Sequence, residues 1–152
     1  MTFEVQAVAH HGITVASLEG ALTFFEGVLG FRSGPVLFLP EGFAAGITGV
    51  PGASIRAVFV EAPGLHIELL EYQSPDDRSN LPPRPCDIGS AHLALFVDNI
   101  EGVADAAKVA GWHLAGTIQQ IVTGPRVGGY AAYLTDGHGT IIELVQRPVS
   151  EN

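Results

Sequence analysis

The sequence predicts an α+β fold in which two similar halves follow one another, each with the element order βαβββ. The main observation is an internal repeat, because HHGITVASLEGALTFFEGVLGF at residues 10–31 resembles HLALFVDNIEGVADAAKVAGW at residues 92–112. The ends of the halves also match, IRAVFVEAPGLHIELLEY at residues 55–72 with GYAAYLTDGHGTIIELVQ at residues 129–146. A length of 152 residues and a hydrophobic content of 47% suffice for one domain.

The 10–31 and 92–112 segments each predict a short strand that runs into a helix. Ser17 is a predicted N-cap of the first helix, and Asp98 with Glu101 three residues later predicts a capping box for the second. Both helices are expected to end at a glycine followed by an aromatic residue, at Gly30 and Gly111. Apolar residues at helical spacing predict the core-facing stripes, which are Leu18, Leu22, Phe25 and Leu29, and Ile100, Val103, Ala107 and Ala110.

The end of each half predicts two strands joined by a tight glycine turn, with a carboxylate inside an apolar strand. Glu68 matches Glu143, and a buried unpaired carboxylate costs several kcal/mol or takes up a proton. Either these glutamates lie on a wet strand face, or a cation accompanies them. Each half also begins with a histidine five residues before a valine, at His10 and His92. Internal symmetry thus selects four residues: His10, Glu68, His92 and Glu143.

The chain is expected to form a single domain over residues 1–152, with module one at about residues 5–72 and module two at about residues 89–147. The proline-rich, polar segment between them, about residues 73–88, is expected to be a linker. The glycine-rich GFAAGITGVPGA at residues 42–53 has no phosphate-loop lysine, so a plain loop or flap is expected there.

Composition excludes several classes of function. Seven basic against sixteen acidic side chains give a net charge of −9, which argues against nucleic acid and anionic membranes as partners. The single cysteine, Cys86, excludes an internal disulfide and a cysteine-rich zinc site. No apolar run approaches the roughly 20 residues that a membrane span needs, and the N-terminus lacks a signal pattern, so a cytoplasmic protein is expected.

The repeated pattern resembles the βαβββ module of the vicinal oxygen chelate superfamily, which includes glyoxalase I, methylmalonyl-CoA epimerase, extradiol dioxygenases, fosfomycin resistance proteins and bleomycin-binding proteins. The resemblance covers nearly the whole chain. It is most specific at the H-x-G-I-x-V strand of residues 10–15, the H-x-A-x-x-V strand of residues 92–97, and the I-E-L strands around Glu68 and Glu143. It implies a cupped, partly open mixed β-barrel with helices outside and a divalent metal inside.

Carried over by position, the resemblance implies that His10, Glu68, His92 and Glu143 ligate the metal. Strand alternation directs the neighbouring His11 to the opposite face. Two imidazoles and two carboxylates suit one divalent ion such as Ni, Co, Mn, Zn or Fe, with positions left for a chelating substrate.

The implied activity is that of a metal-dependent lyase or isomerase acting through an enolate-type intermediate on a small oxygenated substrate. In glyoxalase I the carboxylate ligands take part in proton transfer, which gives Glu68 and Glu143 a catalytic role. Epimerases of the family use a separate glutamate on the strand before the first carboxylate ligand. The corresponding segment GVPGASIRAVFV, residues 49–60, contains no acid, which weighs against an epimerase.

Two other functions stay open at this point. A non-enzymatic drug- or metabolite-binding protein would keep the fold without the metal chemistry. An extradiol-type dioxygenase would use the triad His10, His92 and Glu143, although Glu68 would crowd its open positions. A fosfomycin-type transferase needs a basic pocket, which seven basic residues supply poorly.

Further residues are candidates for binding the substrate. His66 lies two positions before Glu68 and is expected to share its face. Arg84 and Arg126, with Arg56, are candidates for holding a carboxylate or phosphate, and Tyr133 is a candidate for lining the site. Open module sheets leave edges that family members bury by dimerising, so a homodimer is expected.

Overall fold

The structure is a computed structural model in which residues 4–79 and 82–148 are described. These residues divide into two compact units, residues 4–26 with 30–77 and residues 27–29 with the rest. They form two five-stranded mixed sheets and three helices, so the predicted α+β fold with two tandem modules is confirmed. The predicted barrel arrangement of the modules stays a prediction. Within the described ranges, no helix has the length and apolarity to cross a bilayer.

Module one is a mixed sheet with helices added between its strands. Its strand order is β1-β5-β4-β2, and β3 also pairs with β4. Because β2 and β3 both lie antiparallel to β4, they form two pieces of one edge strand, interrupted at residues 34–36. The elements are β1 (His11–Thr14), α1 (Leu18–Phe25), β2 (Arg32–Ser33), β3 (Leu37–Leu39), α2 (Glu41–Thr48), β4 (Ser54–Ala62) and β5 (Leu65–Ser74).

Module two repeats this topology. Its strand order is β6-β10-β9-β7, and β8 also pairs with β9, so its edge strand is again in two pieces. In both modules the first strand runs parallel to the last strand, and the last two strands form an antiparallel hairpin. The elements are β6 (Leu93–Val97), α3 (Ile100–Val109), β7 (His113–Leu114), β8 (Gln119–Gln120), β9 (Tyr130–Thr135) and β10 (Ile141–Gln146).

The N-cap of α1 is the residue that the sequence predicts, whereas the N-cap of α3 is one residue later than predicted. The Ser17 hydroxyl accepts the Gly20 N–H at 3.2 Å, as expected of an N-cap. In module two the predicted Asp98 capping box is wrong, because Asn99 is the N-cap and its Oδ1 accepts the Gly102 N–H at 2.9 Å. Asparagine and aspartate are equally good N-caps. Asn99 takes the position because its own backbone is extended and the helix begins at the next residue, Ile100.

Each of these helices is tied at its first residue to the last strand of its own module. The Glu71 carboxylate accepts the Leu18 N–H at 2.8 Å, and the Gln146 side-chain carbonyl accepts the Ile100 N–H at 2.7 Å. These bonds satisfy N–H groups that a helix cannot satisfy internally. Helix α1 then packs on β4 and β5, and the buried residues on the facing surfaces are Leu18, Ala21, Phe24, Phe25, Val58, Val60, Ile67 and Leu69.

The loop predicted at residues 42–53 is wrong, because α2 occupies most of that segment. Pro40 is its N-cap in extended conformation, and Gly49 ends it in the left-handed region at φ 70°. Ala44 is fully buried, and burying it offsets the low helix propensity of Gly42 and Gly46. The helix belongs to a cluster with the partly buried Leu39, Ala45, Val50, Leu70 and Tyr72 and the buried Ala53, Ile55 and Ala57.

Candidate metal centre

In module one the strand register brings His10 to Glu68. Gly12 lies directly opposite Glu68 in the parallel β1–β5 pair, and His10, two residues earlier, faces the same side. The His10 Nε2 atom lies 3.1 Å from a Glu68 carboxylate oxygen. Phe59 is opposite Glu68 on β4, and its ring meets the His10 ring edge-on at 5.5 Å between centroids.

Module two contains the same arrangement. Ala94 lies opposite Glu143 in the parallel β6–β10 pair, and His92 is again two residues earlier. The distance from His92 Nε2 to the nearest Glu143 oxygen is also 3.1 Å. The residues directly opposite the two glutamates are both small, Gly12 in module one and Ala94 in module two.

These distances suit two ligands of one ion. Nitrogen and oxygen ligands about 2.0–2.2 Å from a metal, at tetrahedral or octahedral angles, lie roughly 3.0–3.5 Å apart. The carboxylates are largely shielded, with 16% and 23% of the Glu68 and Glu143 side chains exposed, whereas the histidines are 38% and 40% exposed. Within either unit, the described residues provide no cluster of three or more His, Cys, Asp or Glu side chains for a metal. Each pair therefore amounts to half of the predicted four-ligand set.

His11 is directed away from this pair. It is opposite Ile67, which is fully buried, and so belongs to the other face of the sheet from Glu68. The register therefore selects His10 as the histidine beside the carboxylate.

Tyr133 distinguishes the second pair from the first. It lies opposite Glu143 on β9, at the position that Phe59 occupies in module one, and its ring stacks at a tilt on His92 with centroids 4.9 Å apart. Its hydroxyl is 3.5 Å from His92 Nδ1. Burial, and secondly the negative charge of Glu143, raise the pKa of the Tyr133 phenol, so the hydroxyl keeps its proton at neutral pH.

His66 lies on the same face as Glu68 and opposite Glu61, at the end of the β4–β5 hairpin. Strand β4 runs to Ala62 and therefore includes Glu61. The acid-free segment considered in the sequence, residues 49–60, ends one residue before this glutamate. The strand before Glu68 therefore does carry an acid, and that sequence argument against an epimerase is corrected. An open groove of about 320 Å³ adjoins these residues and is lined by Val8, Ala9, Glu61, Ala62, Gly64, Leu65 and His66.

Two of the predicted anion-binding arginines already have carboxylate partners. Arg84, in the inter-module segment, contacts Asp87 at 2.7 Å, which raises the pKa of the guanidinium and lowers that of the carboxyl. Arg56 contacts Glu19 at 2.6 Å and Glu71 at 3.4 Å. Glu71 is next to the α1 N-terminus, so Arg56 is on the sheet face that α1 covers, whereas the His10–Glu68 pair is on the opposite face.

Arg126 lies instead against Phe96, with its guanidinium carbon 5.1 Å from the ring centroid. A second arginine, Arg147, which the sequence reasoning missed, lies 4.2 Å from the same centroid. Its position four residues after Glu143 was an available signal, because strand alternation places both on one face.

Two βαβββ units, each with a histidine–glutamate pair at the same place on its first and last strands, define a tandem-module protein with duplicated metal-ligand types. The chain belongs to the Glyoxalase/Bleomycin resistance protein/Dioxygenase superfamily, whose family model matches residues 7–144.

Relatives with names or solved structures agree with this assignment. A 2-epi-5-epi-valiolone epimerase from Actinomyces sp is 31% identical over 151 residues, covering 93% of this chain and 80% of the relative. A glyoxalase family protein from Bacillus cereus has a similar structure, with a TM-score of 0.81, 19% identity, and coverage of 96% and 97% of the two chains. Lactoylglutathione lyase from Agrobacterium tumefaciens gives a TM-score of 0.55 at 19% identity, covering 93% and 94%. The two structural likenesses show the fold.

Proposed function

We propose that this protein is a divalent-metal-dependent isomerase or lyase that acts on a small oxygenated substrate through an enolate-type intermediate. His10 and Glu68 of module one, with His92 and Glu143 of module two, are the proposed metal ligands. The observation that carries the proposal is the 3.1 Å histidine–glutamate distance found at the same place in both modules. Two nitrogen and two oxygen donors suit Ni, Co, Mn, Fe or Zn.

A bound divalent ion would supply Lewis-acid stabilisation of negative charge on a substrate oxygen. The proposed role of the chain's own residues is to move a proton at the neighbouring carbon. Glu68 or Glu143 takes the proton from that carbon, and the same or the other carboxylate returns it. An epimerase must remove the proton from one face of the carbon and return it to the other, and two separate carboxylates meet that requirement.

Two observations favour an isomerase over a lyase within this proposal. The relative from Actinomyces is named as an epimerase and is similar over nearly the whole chain. Module one also presents Glu61 and His66 opposite each other, on the Glu68 side of the hairpin. These are additional groups able to exchange protons beside the proposed site.

The experiment compares Glu68→Gln and Glu143→Gln with the wild type after each protein has been reloaded with metal. If a carboxylate moves the proton, its glutamine variant loses activity by roughly 10²- to 10⁴-fold even at full metal content. The substrate panel should consist of cyclic and linear hydroxyketones, with deuterium incorporation from solvent as the readout. Glu101→Gln, at an exposed helix position, is the matched control and should behave as wild type.

Wild-type turnover in both metal-loaded glutamine variants, with no deuterium in any bound ligand, would contradict the proton-transfer mechanism. A drug- or metabolite-binding protein would then be the better description. Near-stoichiometric Fe(II) with consumption of O₂ would instead identify an extradiol-type oxygenase using His10, His92 and Glu143.

A homodimer is part of the proposal. Each sheet taken by itself has edge strands, and in module one the edge strand β3, the residue before it and helix α2 carry exposed apolar side chains. These are Val36, Leu37, Phe38, Phe43 and Ile47. Sedimentation equilibrium should give twice the chain mass of 15.9 kDa, and a mass near 15.9 kDa at micromolar concentration would contradict the dimer.

A further inference from the structure

Two arginines converge on one exposed aromatic ring in module two. The guanidinium carbons of Arg126 and Arg147 lie 5.1 Å and 4.2 Å from the centroid of Phe96, and 53% of the Phe96 surface is exposed. The two guanidinium groups are therefore no farther apart than the sum of those distances. This cluster of Phe96, Arg126 and Arg147 is called the arginine pair below.

The arginine pair lies on the same sheet face as the His92–Glu143 pair. Phe96, on β6, is four residues after His92, which immediately precedes that strand, and Arg147 is four residues after Glu143, immediately beyond β10. Residues four apart on a strand point to one side and are separated by about 13 Å along it. A substrate with a reactive carbon near Glu143 could thus reach the arginine pair with a group at its far end.

Within the described ranges the arginine pair has no acidic partner, a property that it shares with Arg32 and Arg78. Arg56, Arg84 and Lys108 each have a carboxylate oxygen within 2.6–2.7 Å. Among the residues that the structure describes, neither Arg126 nor Arg147 forms a salt bridge, although acidic residues outnumber basic ones sixteen to seven. Two like charges near one ring repel each other, and a bound anion would offset that repulsion.

The backbone holds Arg126 in place. The loop between β8 and β9 is closed by the Ile121 N–H donating to the Gly129 carbonyl at 2.8 Å and by the Gly128 N–H donating to the Ile121 carbonyl at 2.9 Å. Gly129 is buried so closely against the end of β10 that a Cβ there would collide with the Gln146 carbonyl. This contact fixes the backbone of the loop that carries Arg126 close to the end of β10, where Arg147 follows.

We propose that the arginine pair is a binding site for an oxyanion, a carboxylate or a phosphate group, and that the substrate of the metal centre carries this group. Guanidinium groups bind such anions with paired hydrogen bonds, and the Phe96 ring stabilises both cations by stacking. Assigning the anion to the substrate rests on the proposed function. The anion site itself does not, because it can be measured without any reaction.

The test titrates intact protein with inorganic phosphate and separately with acetate, following the arginine side-chain N–H signals by NMR and the affinity by calorimetry. We expect saturable binding of at least one anion, with shifts at Arg126 and Arg147. Arg126→Gln and Arg147→Gln should each weaken it by about tenfold or more, as expected for a charge-assisted hydrogen bond. Arg32→Gln removes the same charge from an exposed strand of module one and should leave the affinity unchanged.

Preference for acetate would identify a carboxylate as the substrate's anionic group, and preference for phosphate would identify a phosphate. Lack of saturation with either anion would overturn the proposal, as would equal weakening by Arg32→Gln and the two test variants. Phe96→Leu provides a second route, because it keeps both charges and removes the stacking surface. It should weaken anion binding, and unchanged affinity would contradict the proposed role of the ring.

Metal content separates a failure of this proposal from a failure of the proposed function. The arginine variants should bind metal as the wild type does, since neither arginine is a proposed ligand. If metal binds but no anion does, the arginine pair is a surface contact and the metal proposal stands. If anions bind but no metal does, the anion site stands and its link to a metal-centred reaction is removed.

Discussion

The two modules share a scaffold and differ in what surrounds their histidine–glutamate pairs. Both have the same strand order, the same helix attachment to the last strand, and the same 3.1 Å pair. In module one the pair adjoins Phe59, and α2 packs over neighbouring residues of that sheet face. In module two the pair adjoins Tyr133, and the residues from β8 to β9 form a loop that carries Arg126. The ring opposite the glutamate is thus apolar in module one and carries a hydroxyl in module two, and two arginines lie farther along the sheet face of module two only.

This difference suggests a division of labour. Features common to both modules, the fold and the histidine–glutamate pair, are those that the proposed metal centre would require. Features found in module two only, the Tyr133 phenol and the arginine pair, are those that we propose recognise the substrate. Changing residues in one module and comparing the result with the other module tests this division.

The largest expected effect is loss of metal. Replacing His10, Glu68, His92 or Glu143 by alanine should weaken metal binding by more than the roughly 10- to 100-fold that removing a group behind a ligand costs. Metal content by mass spectrometry, with circular dichroism as a check on folding, measures this. His11→Ala is the control and should retain the metal. If variants of one module keep the metal and those of the other lose it, the pairs are not equivalent.

The next largest effect concerns the position opposite the glutamate, which is Tyr133 in module two and Phe59 in module one. Tyr133→Phe removes the hydroxyl near His92 Nδ1 and should lower activity or metal affinity by about 10- to 100-fold, as for other groups that orient a metal-binding histidine. Phe59→Tyr, the reciprocal change in module one, should restore nothing when combined with it. Equal activity of the wild type and Tyr133→Phe would mean that the phenol only packs.

A smaller effect concerns the attachment of the helices. Gln146→Ala should lower the free energy of unfolding by about 1 kcal/mol, because the Ile100 N–H loses its acceptor. Glu71→Ala should cost about 2 kcal/mol, since its carboxylate also contacts Arg56. Urea unfolding measures both, with the exposed Gln120→Ala as control. If Glu71→Ala lowers the free energy of unfolding by less than Gln146→Ala does, the helix attachment in module one is the weaker of the two.

The smallest expected effect is on the pKa of the Tyr133 phenol in metal-free protein. A raised pKa means that the folded state holds the Tyr133 proton more tightly than the unfolded chain, whose tyrosine pKa is about 10. Its stabilising contribution is therefore full below about pH 10 and is lost as the pH rises through the folded pKa. Glu143→Gln should lower the Tyr133 pKa without abolishing the shift, because burial is the larger cause. Phenolate absorbance, corrected with Tyr133→Phe, measures it.

The internal repeat made it possible to predict the fold and the two histidine–glutamate pairs from the sequence. A mid-strand glutamate such as Glu68 is ambiguous alone, but its counterpart Glu143 and the matching histidines restrict the register, and the structure places His10 and His92 beside them. Their role as metal ligands stays a prediction.

Features present in one module only were harder to predict. Helix α2 contains two glycines and depends on burial of Ala44, which local propensity does not reveal. Glu61 was missed because strand β4 extends beyond its apolar run. The contact of Arg147 with Phe96 joins residues about fifty positions apart, and neither residue has an equivalent that the repeat would have emphasised.

The most direct test of the account counts metal ions per chain in the wild-type protein. Native mass spectrometry during a titration with Ni²⁺ should show one tightly bound ion per chain, because both histidine–glutamate pairs are needed for one site. His10→Ala and His92→Ala should each remove that same ion. Two ions per chain, one lost with each variant, would show that the pairs act separately and would contradict a shared metal centre.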